Sequence, residues 1–178
     1  MVNNLKEYSC CIIGHRRIDD YYNISTETMK VLKDAVINKN VTIFKFGNIG
    51  AFNEMCYKTL CDLKKVYPQI KLVFYALNNE IAFTFEEAKE YLSKYNRKNK
   101  VFPYKCFDKI IQLTDTDETQ FKSACVIRNK KLIAESDFCL IYYRKYYSLP
   151  SNAGKIRNSG TKIAYEYACK QNKKMIII

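Results

Sequence analysis

The sequence predicts an α/β fold, Rossmann-like and doubly wound, with a mainly parallel sheet and helices on both faces. Three observations predict it. Short, fully apolar runs recur along the chain, as strands covered on both sides require. Nearly every run is followed by a stretch whose apolar residues recur at helical spacing. Several of the strand-to-helix junctions carry glycine, where such folds place ligands. At 178 residues, the chain is expected to form one domain over its whole length.

The elements follow in order. "YSCCII" (8–13) is the first strand, ending on Gly14. "TETMKVLKDAVINKN" (26–40) places Met29, Leu32, Ala35 and Val36 on one helical side, with Ser25 and Thr26 as capping candidates. "VTIFKF" (41–46) is a strand ending at Gly47. The next stretch (50–68) is a helix with Met55, Leu60 and Leu63 on one side, stopped at Pro68. "IKLVFYAL" (70–77) is a strand, and "FTFEEAKEYLSKYNRK" (83–98) a helix running into basic polar residues. "KIIQL" (109–113) is a strand, 117–137 a helix, and "FCLIYY" (138–143) a strand. A polar, aromatic loop spans Arg144 to Asn158. "SGTKIAYEYACKQNKK" (159–174) is a helix and "MIII" (175–178) a last strand.

Composition narrows the function classes. Hydrophobic residues make up 48% of the chain, which excludes a disordered protein. No apolar run approaches the roughly 20 residues that span a bilayer. The first residues, "MVNNLKEYS", carry no secretory h-region, so the expectation is a cytoplasmic protein with no membrane partner. The 8 cysteines lie largely inside apolar runs, form no CxxC pair, and are joined by a single histidine. Reduced, mostly buried thiols are expected, with no metal and no cofactor. The net charge of +12 suits an anionic partner such as a nucleotide or a nucleic acid. Lysine enrichment in an Asn/Ile/Tyr-rich composition accounts for it equally well.

Four stretches are candidate sites, each with a plainer reading beside it. Gly14-His15-Arg16-Arg17 follows the first strand: glycine allows close approach, arginine pairs with phosphate, and histidine hydrogen-bonds or transfers a proton. The plainer reading is a turn with a satisfied histidine and surface arginines. Gly47 and Gly50 frame a second junction, where free N–H groups at a helix start attract anions. Ser159-Gly160-Thr161 opens the last helix and suits either phosphate or ordinary capping. Arg128-Asn129 lies within a helix, beside a loose apolar stripe of Ala124, Ile127, Leu132 and Ala134. No spacing-defined pair of carboxylates and no nucleophile–histidine arrangement is present among these stretches.

Taken together, "CCIIGHR", "FKFGNIGAFN", "YPQIKLVFYAL", "VIRNKKLIAESDFCLIYY" and "SGTKIAYEYACKQNKKMIII" resemble the YpsA-like proteins of the SLOG superfamily. The likeness covers nearly the whole chain. It implies a Rossmann-like fold that binds nucleotides or their derivatives, with the lonely-guy phosphoribohydrolases and DprA as distant relatives. Carried over by position, Gly14, His15 and Arg16 match the family's first turn, and Gly47 and Gly50 its second junction. Asn53 stands near the place where an acidic residue is common. Arg128 and Asn129 match an Arg-Asn pair, and Gly160 and Thr161 the last phosphate turn, preceded here by Ser159 rather than a second glycine. The phosphoribohydrolases carry a catalytic glutamate three residues after the threonine. This chain has Ala164 there, and Glu166 comes two positions later.

The resemblance therefore implies binding without strong catalysis: a sensor or regulatory protein for an adenine nucleotide or an ADP-ribose-like ligand, possessing a pocket that Arg16 and Arg128 neutralise. A phosphoribohydrolase acting on nucleoside monophosphates is the alternative, with Glu166 or Asp137 supplying the carboxylate. DprA-like binding of single-stranded DNA is a third, resting on the charge. The 144–158 loop, with Tyr142, Tyr143, Tyr146, Tyr147, Arg144, Lys145, Lys155 and Arg157 in or beside it, is expected to act as a lid over a base and phosphate, or as a contact between copies. A homodimer or higher homo-oligomer is expected from the sheet edges.

Overall fold

The computed structural model describes residues 6–47, 50–77, 107–113, 121–145 and 159–178. Within them run β1 (Tyr8–Gly14), α1 (Tyr21–Asn38), β2 (Val41–Phe46), α2 (Ala51–Val66), β3 (Lys71–Leu77) and β4 (Lys109–Leu113). Next come α3 (Phe121–Ala134), β5 (Phe138–Tyr142), α4 (Gly160–Lys170) and β6 (Lys174–Ile177). The helix expected over 83–98 and most of the 144–158 loop lie outside the described residues, including Tyr146, Tyr147, Lys155 and Arg157.

The six strands form one sheet in the order β4-β3-β2-β1-β5-β6, with every neighbouring pair parallel. The chain walks outward from β1 to β4, then returns to lay β5 against the other side of β1. Strand order thus reverses between β1 and β5. At such a reversal open α/β sheets leave a crevice outside the carboxyl ends of the strands. The expected Rossmann-like α/β fold is the one observed.

Each face of the sheet holds its own core. On one side Ile24, Leu32, Ala35 and Val36 of α1 and Phe52, Met55, Cys56 and Leu60 of α2 pack on Cys10, Ile12, Phe44, Phe46, Leu72 and Phe74. On the other, Ala124, Leu132 and Ile133 of α3 and Ala164 and Ala168 of α4 pack on Cys11, Ile13, Val73, Tyr75, Cys139 and Ile141. Alternation along β1 sends Cys10 and Ile12 one way and Cys11 and Ile13 the other. No helix among the described residues is long and apolar enough to cross a membrane.

Two local expectations are corrected. The first helix begins at Tyr21, a turn before Ser25, because Asp20 caps it by accepting the Asn23 N–H at 3.2 Å. The buried stripe then runs through Ile24, Thr28, Leu32 and Ala35, which leaves Met29 52% exposed. In α3 the buried stripe is Ala124, Arg128 and Leu132, spaced by four. Arg128 lies in the apolar stripe rather than beside it, while Ile127 and Ala134 are exposed. Of the described cysteines, Cys10, Cys11, Cys56 and Cys139 are buried free thiols, and burial pushes Cys10 up to about 12.

Candidate functional site

The crevice is built on the last register pair of β1 and β5, Gly14 opposite Tyr142. The chain continues to His15 on one side and to Tyr143 and Arg144 on the other. The His15 imidazole is buried, at 2% exposure. It stands edge-on to Tyr142, with centroids 5.8 Å apart, and tilted against Tyr143 at 5.9 Å. Its Nε2 accepts the Arg144 backbone N–H at 3.0 Å, fastening the two connections together. Burial lowers the His15 pKa to about 4, with the positive Arg144 adding to the effect and Asp19 opposing it. The hydrogen bond requires the Nε2 lone pair, so the ring is neutral and its proton sits on Nδ1.

The helix-start junctions meet this crevice from one side. A Cβ on Gly14 would fall 2.4 to 2.7 Å from the ring and Cβ of Phe52. Glycine here is the condition for α2 to lie over the end of β1. Phe52 in turn stacks on Tyr142 at 5.3 Å, with 21° between the rings. Gly50, the α2 N-cap, sits against the Arg16 backbone, and the Ala51 N–H donates to the Arg16 carbonyl at 3.0 Å. Asn53, 1% exposed, donates from Nδ2 to the Ile12 carbonyl at 3.3 Å, tying the first turn of α2 beneath the same strand end. Gly14, His15, Arg16, Gly50 and Asn53 are thus one assembly. Arg16 and Arg17 are exposed at its rim, as are Arg144, stacked over Tyr142 at 5.1 Å, and Lys145.

Gly47 and Arg128 form a second assembly, under the carboxyl ends of β2 and β3. A Cβ on Gly47 would lie 2.6 Å from Leu132 Cδ1 and 2.8 Å from Arg128 Cδ, so this glycine admits α3. Arg128 is 1% exposed; Nη1 donates to the Tyr75 carbonyl at 3.5 Å and Nη2 reaches Cys125 Sγ at 3.8 Å. Each contact keeps a buried guanidinium partly solvated by protein groups. Asn129, the next residue, is half-buried.

The start of α4 is the third piece. Ser159 caps it, its Oγ accepting the Lys162 N–H at 3.1 Å. Thr161, Ala164 and Ala168 face the sheet. A Cβ on Gly160 would have nothing within 4 Å among the described residues. Tyr165 stacks on Tyr143 at 4.7 Å with only 12° between the planes, which links α4 to the β5 exit and so to His15. Sequence reading missed this pairing and the Arg144 N–H bond. Both join residues far apart in the chain, so no local spacing signals them.

The two carboxylates considered for hydrolysis stand elsewhere. Glu166 is exposed and pairs with Lys162 at 3.8 Å on the outer side of α4. Asp137 precedes β5, at the amino edge of the sheet and opposite the crevice. It accepts from the Ser9 N–H at 2.8 Å and the Ser9 hydroxyl at 2.9 Å. Burial works to raise its pKa, but the Ser9 bonds, Lys6 and Lys45 outweigh it and hold the carboxyl below the usual value. Asp137 as the crevice carboxylate is therefore corrected: its place is structural. Nearby, Lys173 Nζ donates to the Ala134 and Ser136 carbonyls, at 2.9 and 2.7 Å, and Lys45 donates to the Glu135 carbonyl. Both lysines cap the negative end of α3.

No family model matches the chain, and no curated protein does. Among solved structures, a truncated form of 3-deoxy-D-arabino-heptulosonate 7-phosphate synthase from Thermotoga maritima is similar at 13% identity, with a TM-score of 0.30. The match covers 99% of this chain and 54% of that one, so the chain spans about half the length of that neighbour.

Proposed function

We propose that the chain binds a nucleotide or a nucleotide-derived ligand, of the adenine nucleotide or ADP-ribose class, as a sensor or regulatory protein. The observation that carries this reading is the His15–Arg144 hydrogen bond at 3.0 Å, at the point where strand order reverses. Open α/β sheets bind ligands outside the strand ends at that point. Here the two connections are held at a fixed separation by a buried neutral imidazole. The exposed cations Arg16, Arg17, Arg144 and Lys145 follow the two strand ends directly in sequence, a charge that suits phosphate. The likeness of the motifs to the YpsA-like proteins supports the same ligand class. The placement of Glu166 and Asp137 favours binding over glycosidic cleavage, which needs a placed carboxylate.

A thermal-shift titration with AMP, NAD, ADP-ribose and a short oligonucleotide tests the reading. A ligand at 100 times its dissociation constant stabilises by about 2.7 kcal/mol. For a chain of this size that raises the melting temperature by roughly 5–10 °C. Arg16→Glu is expected to abolish the shift while melting normally alone. A shift with the oligonucleotide only, steeply reduced by salt, would move the reading to nucleic acid.

A further inference from the structure

We propose that Tyr165, backed by Tyr143, is the platform on which the ligand's base stacks, and that the ligand is a purine nucleotide. This rests on the nucleotide reading above and adds the part of the ligand that the cations do not recognise. His15, Tyr143 and Tyr165 form a succession of rings leading out of the crevice. His15 and Tyr143 are 5.9 Å apart and tilted by 31°; Tyr143 and Tyr165 are 4.7 Å apart and within 12° of parallel. The rings are progressively less enclosed. His15 is buried, whereas Tyr143 and Tyr165 are half-buried. Among the described residues Tyr143 has ring neighbours on two sides, His15 and Tyr165, while Tyr165 has Tyr143 alone, so Tyr165 is the ring that offers a face.

Three features suit that face to a base. Tyr165 lies four residues after Thr161, about 6 Å along the helix axis. A base on Tyr165 therefore leaves a phosphate, one ribose away, beside the start of α4 and the exposed Arg144 and Lys145. The ring is also held in place. Tyr143 braces it face to face, and Cys169 beside it raises the Tyr165 pKa. A rigid aromatic presents stacking area at low entropic cost. Finally, every base has a π-face, and stacking strength grows with its area, so a purine is favoured over a pyrimidine.

The test measures affinities for AMP, UMP and ribose 5-phosphate in wild type, Tyr165→Ala and Tyr165→Phe. Melting of each variant is recorded alongside. Expected is tighter binding of AMP than of UMP or ribose 5-phosphate by wild type. Tyr165→Ala should lose about 5- to 150-fold in AMP affinity. It should keep its ribose 5-phosphate affinity, and Tyr165→Phe should bind AMP as wild type does. Equal binding of AMP and ribose 5-phosphate by wild type overturns the platform and leaves the phosphate site standing. So does AMP affinity unchanged in Tyr165→Ala. Loss of ribose 5-phosphate binding together with AMP in Tyr165→Ala assigns the ring a structural role instead, and also overturns the platform. Binding of none of the three by wild type overturns the platform and the nucleotide reading together.

Discussion

Gly14→Ala isolates the physical requirement at the first junction. The added methyl would meet Phe52 Cδ1, Cγ and Cβ at 2.4, 2.6 and 2.7 Å. Ordinary contact begins near 3.4 Å, so Phe52 would have to recede by about 1 Å. It has nowhere to go: its exposure is 0%, and it stacks on Tyr142, which is 1% exposed. The clash includes Phe52 Cβ, which no rotamer change removes. Overpacking of this kind costs about 1–3 kcal/mol. Replacing glycine by alanine returns about 0.4–1 kcal/mol by restricting the unfolded chain. The net expectation is a loss of about 1–2 kcal/mol, or roughly 2–8 °C in melting temperature. Urea denaturation of Gly14→Ala, Phe52→Leu and the double variant measures it. The smaller branched side chain relieves part of the clash, so the double variant should be more stable than additivity predicts by about 1 kcal/mol. Wild-type stability in Gly14→Ala, or strict additivity, would refute the claim that Phe52 dictates this glycine.

Four further outcomes are expected. His15 has a folded pKa of about 4, below its ordinary 6.5, so it favours the fold when neutral. That contribution is complete above pH 6.5 and is lost as pH falls toward 4; its ceiling is about 3 kcal/mol. Urea midpoints of wild type should fall across that window, and those of His15→Gln should fall less. Asp137→Asn weakens the two Ser9 bonds at the amino edge and should cost about 1–3 kcal/mol in the same assay, with AMP affinity unchanged. Glu166→Gln removes only an exposed pair and should shift stability by no more than about 0.5 kcal/mol. Gly160→Ala meets no atom of the described residues and should leave the melt unchanged or slightly raised, while AMP affinity falls because the methyl occupies the approach to the α4 start. Unchanged affinity there would place the phosphate elsewhere.

Much of the fold was legible because burial on both faces writes a plain signal. "SCCII", "LVFYAL" and "FCLIY" read as strands since each residue has an apolar neighbour whichever way it points. Helix faces were less legible. In α1 the expected Met29 and the observed Thr28 differ by one position, and the buried Ile24 in the first turn, which the expected helix left out, marks the stripe that holds Thr28. In α3 periodicity alone placed Arg128 next to the stripe, because a sequence gives no reason to count arginine as buried. The missing information is tertiary: a strand-end carbonyl at Tyr75 and the absence of a side chain at Gly47 together create room for it.

The site was legible as a set of glycines and cations on one sheet edge, but not as a set of jobs. Gly14 and Gly47 look like ligand glycines, yet each is already accounted for by protein atoms, Phe52 in one case and Leu132 and Arg128 in the other. Gly160 has no such neighbour among the described residues. A glycine at a helix start is costly in chain entropy, and packing against the described residues does not require this one. The three junctions that the sequence presents as equivalent therefore carry unequal weight. Two explain how the helices close over the strand ends, and among the described residues the third leaves its lack of a side chain unclaimed. The Tyr143–Tyr165 stack, which begins one turn beyond that glycine, is the reason to look for a base there as well as a phosphate.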